Sequence, residues 1–80
     1  MSRAQRPTRT QQVIDHLVRL GRITDATARQ QYGAFRLADA IYRLRGKRAR
    51  LVPAGFQIIT VNREDLNGTP FAEYRLVPEA

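Results

Sequence analysis

The chain has 80 residues, of which 42% are hydrophobic, enough for one domain with a modest core. It contains no cysteine, which excludes disulfides and sites built on thiolates. A small secreted domain without disulfides would be unusual, so we expect a cytoplasmic location. No apolar run approaches the ~20 residues needed to span a bilayer, so we expect no membrane partner. The formal net charge of +7 favours anionic partners.

The positive charge is concentrated in two segments. Residues 1–9 contain three arginines and no acid, whereas residues 36–50 contain six basic residues and one acid, Asp39. A charge run is often no more than a solvated face, and that alternative stays open. The central segment nevertheless indicates a helix that faces a polyanion.

The domain organisation follows from where hydrophobic periodicity begins and ends. Residues 1–7 show none, so we predict a flexible basic arm there. A single domain is predicted over residues 8–77, followed by a tail over residues 78–80 that closes the chain.

The first predicted helix begins after Thr8, which forms a capping-box pattern with Gln11, and ends near Leu20 before Gly21. Its apolar stripe is expected to face the core and consists of Val13, Ile14, Leu17 and Leu20. The single histidine, His16, flanks this stripe without a second metal ligand at a suitable spacing, which favours a structural or solvent-edge role.

A short connector and a second helix follow. Ile23 is predicted to lie in a short extended segment, and Thr24 to cap a helix over about Asp25 to Tyr32. Ala28 and Tyr32 are its expected buried contacts, and Gly33 ends it. Two short helices joined at a glycine after a longer helix are typical of a helix-turn-helix.

The third predicted helix, about residues 34–45, has two different faces. Leu37, Ile41 and Leu44 form one narrow apolar stripe. The opposite face is expected to carry aromatic and charged residues, namely Phe35, Arg36, Asp39, Tyr42 and Arg43.

The last third of the chain predicts a β-hairpin. Residues 56–61 and 71–77 read as strands, and Asn67-Gly68 between them is a strong hairpin signal. In the second strand we expect Ala72, Tyr74 and Leu76 to face inward, with Glu73 and Arg75 outward. Three helices and a hairpin predict an α+β fold, a winged helix-turn-helix.

Several residues resemble those of small winged-helix proteins from bacteria and their phages. They are Ile23-Thr24, Ala28, Gly33, Arg36-Leu37, Ile41 and Leu44-Arg45 in the helices, and Glu73-Tyr74-Arg75-Leu76 in the last strand. The resemblance covers about residues 10–77. It implies binding to double-stranded DNA, with helix three in the major groove.

For a helix in that groove, the side chains have definite roles. An arginine fork can bind guanine O6 and N7, so the predicted base-reading residues are Phe35, Arg36, Asp39, Tyr42 and Arg43. Asp39 lies three residues after Arg36 and four before Arg43, which favours ion pairs that orient both arginines. The alternative is that its carboxylate accepts from a cytosine amino group. The predicted phosphate contacts are Arg3, Arg6, Thr24, Arg45, Lys47, Arg48, Arg50 and Arg63. Acids at the wing tip, Glu64 and Asp65, predict that the wing is not a major contact.

No acid/base pair, phosphate loop or metal-ligand pattern is evident, so we expect neither catalysis nor a cofactor. A second hypothesis is that the basic and aromatic patch docks on a host protein and blocks or mimics a nucleic-acid partner. Whether two copies form a homodimer is left open.

Overall fold

Three helices and a three-stranded antiparallel sheet make up the fold, in a computed structural model that describes residues 8–33 and 36–79. In chain order the elements are α1 (Arg9–Leu20), β1 (Arg22–Thr24), α2 (Asp25–Tyr32), α3 (Leu37–Leu44), a 3-10 helix (Ala49–Leu51), β2 (Phe56–Glu64) and β3 (Pro70–Pro78). The α+β winged-helix prediction is confirmed, including the short strand around Ile23. The predicted arm with Arg3 and Arg6, and Phe35 of the predicted third helix, lie outside the described residues.

Local capping determines where α1 begins and ends. The Thr8 hydroxyl accepts a hydrogen bond from the Gln11 amide at 3.1 Å. Gly21 ends the helix with φ of 86°, and its N–H donates to the Leu17 carbonyl at 2.8 Å. The Gln11 side chain donates to the Asp15 carboxylate at 2.9 Å instead of returning to Thr8, so the capping box is half formed.

The second helix has the predicted bounds, whereas the third is shorter than predicted. Thr24 caps α2 by accepting from the Thr27 amide at 3.2 Å. Arg36 has extended backbone angles, with φ of −90° and ψ of 105°, so α3 begins at Leu37 and not at residue 34. Arg45 follows its last residue.

The core lies between α1, α3 and the inner face of the sheet. Among the residues that the structure describes, ten apolar ones are buried there: Val13, Ile14, Leu17, Ile23, Ala28, Leu37, Ala40, Ile41, Leu44 and Ile58. The apolar stripes of α1 and α3 therefore face one another. The sheet closes the core through Ile23 and Ile58, with Tyr74 and Leu76 packed at its margin.

The prediction for Leu20 was wrong: its side chain is 63% exposed. It lies on the apolar stripe of α1 but at the last residue, beyond the part of the helix that its neighbours cover. His16 is buried instead, with Nδ1 2.7 Å from the Tyr32 hydroxyl and the two rings packed edge to face. Of the two positions predicted for His16, the structure shows the buried one and not the solvent edge.

Burial, and second the nearby Arg19 charge, lower the pKa of His16 from its ordinary value of 6.5. The unfolded chain therefore binds a proton more readily than the folded one. Stability from neutral His16 is fully present above pH 6.5 and is lost as pH falls through the lower folded-state pKa.

We therefore expect the melting temperature to fall between about pH 7.5 and about pH 5.5, a range in which ordinary carboxylates stay ionised. His16→Gln keeps a polar partner for Tyr32 but cannot titrate, so it should melt at a nearly constant temperature over this range. Melting curves followed by circular dichroism measure both. An equal fall in the glutamine variant would assign the pH dependence to other groups.

In the sheet, β3 lies between β1 and β2, and both pairings are antiparallel. The hairpin register continues to Glu64 opposite Pro70, so the loop is residues 65–69 and shorter than the predicted 62–70. The Asp65 carboxylate organises this loop by accepting from the amides of Asn67 at 2.8 Å and Thr69 at 2.9 Å.

Glu73 faces away from the core, as predicted, but its side chain is covered by other residues and is not open to solvent. Glu73 is 4% exposed, and its carboxylate lies 3.7 Å from Arg22 Nε, 3.1 Å from Arg63 Nη1 and 3.4 Å from Arg75 Nη2. Because β3 is the central strand, arginines from both neighbouring strands reach across it and cover the carboxylate.

Arg45 ties the end of α3 to β2. Its Nη2 donates to the Ile58 carbonyl and to the Thr60 hydroxyl, each at 3.0 Å. The guanidinium carbon also lies 6.0 Å from the centre of the Tyr74 ring. These contacts hold α3 at a fixed position relative to the wing.

Candidate nucleic-acid interface

The surface of α3 away from the core is polar and open. Leu37, Ala40, Ile41 and Leu44 are buried, so the helix is fixed against α1 and the sheet. Asp39, Tyr42 and Arg43 are exposed, and 79% of the Tyr42 side chain is accessible. The described part of the predicted reading face is therefore presented to solvent.

A hollow of about 140 Å³ lies along the seam between α1 and α3. It is lined by Arg9, Thr10, Arg36, Asp39, Ala40 and Arg43. Arg36 precedes the helix, yet its side chain shares this hollow with Arg43. Sequence reasoning missed Arg9, although the Thr8 cap places it at the first position of α1, the end that adjoins α3.

The ion pairs predicted for Asp39 are not formed with either described arginine. Its carboxylate is absent from the four ion pairs among residues 8–33 and 36–79. Asp39 lies beside Arg36 and Arg43 in the hollow without neutralising them. The carboxylate can therefore still accept a hydrogen bond from a ligand.

A second hollow, of about 550 Å³, lies at the other end of α3. Its lining is Asp39, Tyr42, Arg43, Arg45, Gly46 and Lys47. The chain then turns into the 3-10 helix and exposes Arg48 and Arg50. None of Lys47, Arg48 and Arg50 forms an ion pair with another described residue. Three cations are therefore available beside the exposed face of α3.

Three other predicted phosphate residues are engaged within the protein. Arg45 binds β2, and Arg63 lies 3.1 Å from the Glu73 carboxylate. The hydroxyl of Thr24 caps α2. The sequence indicates that such polar side chains lie near the surface. It does not show which of them already form hydrogen bonds or ion pairs with neighbouring strands and helices.

Across residues 8–33 and 36–79, histidine, aspartate and glutamate form no group of three that could hold a metal ion. No described helix is both long and apolar enough to cross a membrane.

Two consecutive helices, α2 and α3, joined at Gly33 and accompanied by a β-hairpin, define a winged helix-turn-helix protein. The family model described as a winged helix-turn-helix domain matches residues 8–78, and the chain belongs to this family. Comparisons with curated proteins and with solved structures gave no match. The domain suggests DNA binding, because the second helix of such a motif enters the major groove.

Proposed function

We propose that this chain is a small transcription regulator of bacterial or phage type that binds double-stranded DNA by inserting α3 into the major groove. The observation that carries the proposal is the exposed face of α3, where Tyr42 and Arg43 lie between two hollows lined by cations. A buried apolar stripe fixes the same helix from behind.

Base reading is assigned to the side chains on and around this face. Arg36 and Arg43 can each bind guanine O6 and N7 through a planar fork. Asp39, which forms no ion pair with a described residue, can accept from a cytosine amino group. Tyr42, and Phe35 two residues before α3 in the sequence, can contact a thymine methyl group.

Phosphate contacts are assigned to cations beside α3 and in the arm. Lys47, Arg48 and Arg50 are exposed after the helix, and Arg3 and Arg6 precede the domain. For Arg45, Arg63 and Thr24 we propose structural roles first, since each already has a partner within the fold.

Lysine variants distinguish base reading from phosphate binding. Lysine keeps the charge of arginine but lacks the planar fork, so it cannot reproduce a bidentate guanine contact. Arg36→Lys or Arg43→Lys should therefore reduce the difference in binding free energy between a preferred and a random duplex by about 1–3 kcal/mol. The preferred duplex is obtained by selection from a random library.

Arg48→Lys and Arg50→Lys are the matched controls, because a phosphate accepts either cation. They should leave the difference between the two duplexes nearly unchanged. If all four lysine variants behave alike, α3 is not the element that reads sequence.

A second candidate function is docking on a host protein. It is favoured by the exposure of Tyr42 at 79%, since aromatic side chains near cations are common in protein-binding surfaces. A mobility shift with duplex DNA at moderate salt separates the two functions. Absence of any shift would favour the docking role.

A further inference from the structure

A groove of about 670 Å³ lies between the start of α2, the start of α3 and the wing. Its wall is largely apolar and includes Ala26, Phe71, Ala72 and Tyr74. Phe71 is 39% exposed, so the groove opens to solvent. Asp25 and Asp65 also line it.

The charge of this groove opposes that of the whole chain. Arg29 is the one cation among its described lining residues, and it is already paired with Asp25. A phosphate backbone would meet apolar side chains here and the Asp65 carboxylate, which forms no ion pair with another described residue. The groove instead fits an aliphatic segment flanked by cations.

The chain itself exposes such a segment where α1 ends. Val18 is 56% exposed and Leu20 is 63% exposed. Arg19 lies between them, and Arg22 follows with 66% of its side chain exposed, although it also contacts Glu73. These residues, 18–22, are called the α1 end. None of them lines the groove of their own chain.

We propose that the α1 end of one copy docks into the groove of a second copy. The aliphatic side chains of Val18 and Leu20 would cover Phe71 and its neighbours, while Arg19 faces the Asp65 carboxylate. The two surfaces differ, so the contact is heterologous and can add copies in a row instead of closing into a twofold dimer. It accounts for the exposure of Leu20 and for the acidic groove together.

The contact surface is small, and the association in solution is correspondingly weak, with Kd on the order of 0.1–1 mM. Copies bound to neighbouring sites on one duplex are held at high local concentration, so a weak contact makes their binding cooperative. This consequence rests on the proposed DNA binding, whereas the association itself does not.

The association is therefore tested without DNA. We expect the amide NMR signals of residues 18–22 and of Ala26, Phe71 and Ala72 to shift as the protein is diluted from about 1 mM to about 20 µM. Added salt should reduce the shifts, because the contact pairs opposite charges. A chain that stays monomeric at about 1 mM would overturn the proposal and leave the groove to another protein.

Variants show whether the contact is specific. Leu20→Ser removes an aliphatic side chain from the α1 end, and Ala26→Arg places a cation in the groove. Each should weaken association by about tenfold or more. Leu66→Ser is the control, since Leu66 is fully exposed at the wing loop and lines neither surface. Equal weakening by Leu66→Ser would indicate unspecific hydrophobic association and overturn the proposal.

Mixing the two variants tests the head-to-tail arrangement. Leu20→Ser retains an intact groove, and Ala26→Arg retains an intact α1 end. In a mixture, isotope-labelled Leu20→Ser should show restored shifts at Phe71 and Ala72, and labelled Ala26→Arg should show them at residues 18–22. No restored shifts in either mixture would exclude the contact.

Discussion

Replacing Ile41 with alanine is expected to lower the free energy of unfolding by about 2–5 kcal/mol, because it leaves a cavity at the centre of the core. Ile41 is 1% exposed and lies on the face of α3 that packs against α1 and the sheet. The total free energy of unfolding of such a domain is only about 5–15 kcal/mol. Its melting temperature should therefore fall by roughly 10–40 °C.

The next residue along the helix is the matched control. Tyr42 is 79% exposed, so Tyr42→Ala should change the free energy of unfolding by no more than about 0.5 kcal/mol. The same variant should bind duplex DNA more weakly, since Tyr42 lies on the proposed reading face. Thermal melting of both variants beside a binding titration checks the pair. Comparable destabilisation by Tyr42→Ala would show that α3 is packed on both sides.

The helices could be predicted because their signals are local. Thr24 and Gly33 bound α2 through hydrogen bonds to residues a few positions away, and the bounds were correct. The stripe of Leu37, Ile41 and Leu44 reports the direction of each side chain from helical geometry alone. Such features require no knowledge of distant parts of the chain.

Glu73 and Leu20 could not be predicted because their burial depends on distant neighbours. Alternation along β3 placed Glu73 outward correctly, but the arginines that cover it come from β1 and β2. Leu20 has the right angular position on α1, but no described residue covers it enough to bury it. Periodicity predicts the direction in which a side chain points, but it does not predict which distant residues bury that side chain.

The candidate site, like the fold, could be predicted from the sequence only in part. The sequence places the cations of residues 43–50 together, and their exposure follows from their type. It does not show that Arg45 is bound to β2, or that Arg9 from α1 shares a hollow with Arg43. Those relations depend on how α1, α3 and the sheet pack.

The second large expected effect is the salt dependence of DNA binding. The proposed interface places five cations on phosphates: Arg3, Arg6, Lys47, Arg48 and Arg50. Release of their counterions predicts that log K falls against log salt with a slope near −4.5. Between about 50 mM and about 200 mM salt, the affinity should therefore fall roughly 500-fold.

Alanine variants assign this slope to one side of α3. Arg48→Ala should make the slope shallower by about 0.9, since one phosphate contact is lost. Arg29→Ala is the control, because Arg29 lies in the acidic groove and is paired with Asp25. Its loss removes the same charge from the chain and should leave the slope unchanged.

Titration of a fluorescently labelled duplex with the protein, repeated over a range of salt concentrations, tests the central claim most directly. We expect tight binding at low salt and a linear decline in log K with a slope near −4.5. Absence of binding at low salt, or an affinity that does not change with salt, would contradict DNA binding through this surface.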